Sequence, residues 1–408
     1  MIEADHAAAA AEAAARASYG KLLAWLAWKW RDVCAAEDAL SEAFAAALVH
    51  WPRQGVPLAP EAWLLTVAKR HLLMAARRRR LEQDPAVSII LPELIAPPAE
   101  DLVIPDVRLR LLFVCAHPAI DPSIHAALML QLVLGLDAPQ IASAFLVSPA
   151  ALAKRLTRAK GKIRDAAIAF AEPEKRELPE RVTSVLEAIY GAYSIGEAAV
   201  SETRRSDVAD EAVFLAGLAS DCLPGSAEAH GLCALLLYRE SRRFAQRDGQ
   251  HTFIPLDEQN PKHWRQPMMG DAEAHLGAAV KLGHPGPYQI EAAIQAAHMH
   301  GIVQGSTPWR EIVGLYERLL QFGPTIGARI GHAIAVAYAG ADPSAGLALL
   351  DAIDFSRVAT HQPWWASRAR LLAIAGRKEE SAAAYDRAMG LTGDTAIRNW
   401  LNHCAERL

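Results

Sequence analysis

The stretch Gly135–Arg164, GLDAPQIASAFLVSPAALAKRLTRAKGKIR, constrains the fold more than any other part of the chain. Asp137 is placed to cap a short helix, with Pro139 tolerated in its first turn. Ile141, Ala142 and Phe145 give that helix an apolar side, and Leu146 and Val147 turn the chain. Ser148 then caps a second helix that has Pro149 at its first position. In this second helix Leu152, Leu156, Ala159 and Ile163 recur at i, i+4, i+7 and i+11, which is one buried stripe. Ala151, Lys154, Arg155, Arg158 and Lys162 fall on the other side. A short helix crossing before a longer, basic, amphipathic one is the helix-turn-helix arrangement, whose second helix enters the major groove of DNA. The small residues Ala150 and Ala151, just after Ser148, allow close approach to base edges, and the cations behind them can neutralise phosphates. A surface helix with a solvated basic face has the same composition, but it does not require the paired caps.

With 408 residues the chain has room for two or three domains, and 52% hydrophobic residues supply large cores. The net charge of −4 hides an uneven distribution. Residues 1–170 hold 19 Lys and Arg against 17 Asp and Glu, whereas the remainder holds 23 against 29. The cations of the first part bunch at Lys69–Arg80 and at Lys154–Arg164, as expected for a polyanion touched at two places. The five cysteines are widely spaced and form no CxxC, so neither a disulfide framework nor a zinc ribbon is indicated. A cytoplasmic location fits this cysteine usage. The N-terminus is acidic and alanine-rich, unlike a signal peptide, and no apolar run is long enough to span a bilayer, so no membrane partner is expected.

Residues 1–33 read as an alanine-rich helix ending in Trp25, Trp28 and Trp30. The next helix, about Ala35–Trp51, places Leu40, Phe44, Ala47, Leu48 and Trp51 on one stripe, with Glu37, Asp38, Ser41 and Glu42 mostly off it. Those acids suit either a solvated face or a docking surface for a protein partner. After a Pro/Gly loop, Pro60 opens a helix through Trp63, Leu64 and Val67 to Lys69, Arg70 and the run Arg77–Arg80. Aromatic residues ahead of a cationic helix suit stacking on unpaired bases while backbone phosphate is held. Trp63 serves equally well as core. Residues 81–104, with four prolines, read as a linker. Helical periodicity resumes at Pro105–Cys115 and Ser123–Leu134.

AEDALSEAFAAALVHWP, then PEAWLLTVAKR with its basic run, a Pro-containing linker, DVRLRLLFVCAHPAI and the helix-turn-helix together resemble a bacterial RNA polymerase sigma factor. The resemblance is to the extracytoplasmic-function (ECF) group of the sigma-70 family, which keeps only sigma regions 2 and 4, and to its subgroup with a long helical C-terminal extension. It implies that Glu37, Asp38, Leu40, Glu42 and Phe44 dock on core RNA polymerase. It implies that Trp63, Lys69, Arg70, Arg77 and Arg78 melt and hold the −10 element of promoter DNA. The −35 element would fall to Ser148, Ala150, Ala151, Lys154, Arg155, Arg158 and Lys162. The chain departs from the family after Arg70, where a hydrophobe-Asp pair is replaced by His71-Leu72-Leu73-Met74-Ala75-Ala76.

From about residue 172 the chain becomes a series of Ala/Leu-rich amphipathic helices. Trp365, Ala369, Gly376, Tyr385 and Ala388 have the spacing of a tetratricopeptide (TPR) helix pair, and Thr325–Leu350 resembles a diverged neighbouring pair. Arg242–Trp264 breaks this pattern with a DG turn and the extended run His251–Ile254. It reads either as a loop packed on the repeats or as a strip contacting region 2 or the linker. Neither His298-x-His300 nor Cys115-x-His117 shares a helical face, and His230 with Cys233 lacks further ligands, so no metal site and no cofactor are expected. No Walker loop, GxSxG or HExxH occurs.

The expected architecture is all-α: sigma region 2 over 1–80, a linker over 81–104, region 4 over 105–170, and a helical-repeat domain over 171–408. The expected function is binding rather than catalysis, with an intramolecular contact from the acidic C-terminal domain to the sigma regions. The rivals are a repeat scaffold whose sigma-like half has lost promoter function, and an enzyme sited in the helical C-terminal half.

Overall fold

The computed structural model describes residues 2–83, 106–145, 147–165, 174–198, 202–248 and 252–408. Among these residues the chain is helical, with one antiparallel bridge between Arg247 and Phe253. The expected linker lies outside the described residues from 84 onward, as do Leu146 of the turn and Gly249, Gln250 and His251 of the expected DG turn and extended run. No helix among the described residues is long and apolar enough to cross a membrane.

The chain divides into two compact units, Met1–Cys222 and Leu223–Leu408. The first holds α1 (Ile2–Trp30), α2 (Val33–Gln54), α3 (Pro60–Gln83), α4 (Val107–Cys115), α5 (Pro122–Leu134), α6 (Ala138–Ala144), α7 (Pro149–Asp165), α8 (Leu178–Ala198) and α9 (Glu202–Cys222). The C-terminal half of α1 is its hub. Leu22, Leu23, Ala24, Leu26 and Ala27 are all buried, on more than one side, because α2, α3, α4 and α5 each pack against this helix. A helix that is apolar all round has to be enclosed in this way. A Cβ on Gly20 would sit 1.6 Å from the Val133 carbonyl oxygen, so only glycine lets the α1 and α5 backbones meet. Gly135 ends α5 at φ +63°, where its N–H donates to the Gln131 carbonyl.

Short polar side chains start α2, α4, α5 and α6. Asp32 accepts from the Ala35 N–H, Asp106 from Arg108, and Asp121 from Ser123. Asp137 accepts from Gln140 N–H while the Gln140 side chain accepts from Asp137 N–H, a complete capping box at the start of α6.

The expected boundary at 171 falls between α7 and α8, whereas the units part after Cys222. The reason is packing: α8 lies against α4, α5 and α6, and α9 lies against α8 and α4.

The second unit holds α10 (Ala227–Ser241), α11 (Gln266–Leu282), α12 (Pro287–Gln304), α13 (Trp309–Phe322), α14 (Ile326–Gly340), α15 (Pro343–Asp351), α16 (Phe355–Val358), α17 (Gln362–Ile374), α18 (Lys378–Leu391) and α19 (Thr395–Glu406). Helices adjacent in sequence mostly pack as pairs. In the α17–α18 pair Ala369, Tyr385 and Ala388 are buried, and the Ser381 hydroxyl donates to the Ala369 carbonyl at 2.8 Å. The segment 242–264 packs on its own unit. Arg247 pairs with Asp394 at 2.7 Å, Phe253 stacks edge-on to Trp400, and Asp257 pairs with Arg370. Trp264 is buried, and its indole N–H donates to Gln259.

Candidate nucleic-acid interface

The buried stripe expected for α7 forms: Leu152, Leu156, Ala159 and Ile163 are all buried. α7 packs on α6, α5 and α2, and the face opposite the stripe points to solvent. Ser148, Ala150, Ala151, Lys154, Arg158 and Lys162 are exposed. Arg155 differs, because its guanidinium donates to the Ser123 carbonyl at 2.9 Å and to the Ser123 hydroxyl at 2.6 Å. This side chain in the first half of α7 is therefore tied to the start of α5.

Lys160 behaves differently from its cationic neighbours. It lies nine residues from Ala151, half a turn out of phase at 100° per residue, and so leaves the exposed face. Its ammonium meets Glu37 of α2 at 2.6 Å, and its carbonyl accepts from the Cys34 thiol at 3.4 Å. The sequence reading placed Glu37 with the docking acids and Lys160 in the basic cluster without pairing them. The helical phase of Lys160 was the available signal.

On α2, Asp38 and Glu42 are exposed, which leaves them free to meet a partner. Leu40 is fully buried and Phe44 is half-buried, its ring stacked 6.3 Å from that of Tyr19. The stripe itself differs from the expected one. It runs through Val33, Ala36, Ala39, Leu40, Ala43, Ala47 and Trp51, while Leu48 is 53% exposed. Alanines carry the close packing on this helix, so a reading guided by large apolar residues rotates the buried face.

On α3, Trp63 is half-buried and sits edge-on to Trp51 at 5.5 Å. The Lys69 ammonium lies 4.6 Å over the Trp25 ring, a cation–π contact. Arg70 and Arg77 are exposed, and the Arg78 side chain lies outside the described residues. The aromatic and cationic groups of α3 are thus partly committed to the helical core, with the outward cations beyond them. No group of metal-ligating side chains comes together among the described residues.

Three packed helices with a Leu/Ala core and Trp51 buried in it, acids exposed on α2 and cations on α3, define a class. Residues 13–82 match the Sigma-70 region 2 family, so this part of the chain is similar to sigma-70 proteins, and that similarity supports a sigma-factor-like role in transcription initiation involving core RNA polymerase and promoter DNA. Residues 181–280, from α8 into α11, match a family of unknown function (DUF6596). The chain belongs to the family of an uncharacterized protein of Rhizobium meliloti (strain 1021), to which it is 35% identical over 388 residues, covering 92% of this chain and 91% of that protein. No solved structure matches the chain.

Proposed function

We infer that the chain is an ECF-type sigma factor that directs core RNA polymerase to promoters. α1–α3 form region 2, and α4–α7 form region 4 with a helix-turn-helix in α6–α7. Asp38 and Glu42 dock on the polymerase. Arg70 and Arg77, with Trp63 and Lys69 behind them, hold the −10 strand, and the exposed face of α7 reads the −35 major groove. The protein works by binding in the cytoplasm, needs no cofactor, and leaves the chemistry to the polymerase. Residues 223–408 are a TPR-like regulatory extension.

The observation that supports this most is the α7 face. Ala151, Lys154, Arg158 and Lys162 share one exposed side of a helix whose opposite side is buried. Small residues there admit base edges, and the cations supply phosphate contacts. Run-off transcription tests the reading. Core polymerase with the full chain should start discrete transcripts that core polymerase alone does not make. A chain that binds the polymerase yet yields none would be a scaffold instead.

A further inference from the structure

We propose that the α8–α9 hairpin, which nothing in its family description assigns to DNA, is a working part of the DNA-reading domain, with Gly191 and Phe145 as positioning residues for α7. The proposal rests on α7 being the −35 reader.

α5 is the core of that domain, and Ile124–Leu130, Leu132 and Val133 are all buried. Such a helix needs cover on every side. α1, α4, α6 and α7 each supply some, but α5 packs more extensively on α8 than on any other helix. The hairpin is itself closely built: a Cβ on Gly196 would come within 2.8 Å of the Ala209 backbone nitrogen, so the α8 and α9 backbones cross in contact.

Polar groups fix how the hairpin sits. Arg181 of α8 is 5% exposed and donates to the Phe113 carbonyl at the end of α4. Buried His125 of α5 lies 3.1 Å from the Ser184 hydroxyl, with its other ring nitrogen 3.0 Å from the Ile120 carbonyl. Arg108 of α4 pairs with Glu211 of α9 at 2.6 Å and lies 4.6 Å over the Phe214 ring. Buried polar groups held by specific partners fix one arrangement, because any slip leaves them unpaired. The hairpin is therefore registered on α4 and α5, not merely adhering to them.

The link to the reader runs through Phe145, which ends α6 at the turn into α7. A Cβ at Gly191 would lie 3.7 Å from the Phe145 ring and 3.8 Å from Leu130. The tip of the Phe145 ring thus lies next to the bare backbone of α8 at Gly191, and Leu130 of α5 borders the same spot. Displacing that ring moves the turn from which α7 departs.

The test uses the full chain bound to core polymerase and a DNA duplex that the wild-type holoenzyme selects from a random pool. Gly191→Ala should bind DNA within about twofold of wild type, since its methyl reaches only ordinary contact distance. Gly191→Leu should displace Phe145 and weaken DNA binding about tenfold while polymerase capture is unchanged. Phe145→Ala with Gly191→Leu should return affinity to within about threefold, a rescue that general destabilisation would not give. Phe145→Ala alone, at a 40% exposed side chain, covers the case in which Gly191→Leu does not fold, and should weaken DNA binding about fivefold. Wild-type affinity in Phe145→Ala, or in a folded Gly191→Leu, overturns the proposal, as does absence of rescue in the double variant. Lys154→Ala with Arg158→Ala separates the two ideas. Wild-type affinity there removes α7 as the reader and the buttress with it, whereas lost affinity there with normal Phe145→Ala binding removes the buttress alone.

Discussion

Single side chains on α7 divide into those that face solvent and those that hold the domain together. Lys154 and Arg158 are exposed, while Arg155 is engaged by Ser123 and Lys160 by Glu37. Each phosphate contact contributes about 0.9 to the slope of log affinity against log salt. Replacing Lys154 and Arg158 by alanine should therefore reduce that slope by roughly 2 in a salt titration of holoenzyme–DNA binding. A reduced affinity with unchanged slope would instead indicate base contacts. Gly20 gives a residue-scale prediction about stability. Gly20→Ala puts a methyl against the Val133 carbonyl, a backbone atom that cannot swing away. The variant should lose about 3 kcal/mol or more in denaturant unfolding.

Among the elements, α2 carries the most divided duties. Its inner face, Ala36, Leu40, Ala43 and Ala47, is closely packed, and its outer face presents Asp38 and Glu42. Reversing both charges to lysine leaves the inner face intact, so circular dichroism should be unchanged. Capture of core polymerase should fall roughly tenfold, because mismatched charges at an interface slow association. The Asp137 cap of α6 and the buried stripe of α7 were legible in sequence, since a cap acts within three residues and the Leu152–Ile163 stripe follows the helical repeat. The buried face of α2 was misplaced because its packing is made by alanines, which carry little signal when large apolar residues are sought. The role of α8 was not legible either. Its apolar pattern announces a buried face, but nothing local says which helix will cover it.

For the molecule as a whole, acid sensitivity should appear in the second unit. Burial holds His298 down to about 4, with Arg242 adding to the effect and Asp257 opposing it. The folded state then binds fewer protons than the unfolded chain between about pH 6.5 and 4, so stability is lost as pH falls through that window. At pH 5 the loss should be about 2 kcal/mol, and His298→Gln should flatten that part of the profile in thermal unfolding. The lowered His117, His125 and His361 act in the same direction elsewhere in the chain. By itself the sequence determined the all-helical class, the Asp137 cap of α6, the buried stripe of α7, and the two bunches of cations, because each depends on neighbours within one or two helical turns. Only the tertiary structure decided that α1 is the hub of its unit, that Gly20 meets Val133, that Lys160 pairs with Glu37, and that α8 packs on α4, α5 and α6 with α9 against it. Those contacts join residues from tens to more than a hundred positions apart, and an apolar face or a charge specifies that it needs a partner without specifying which one.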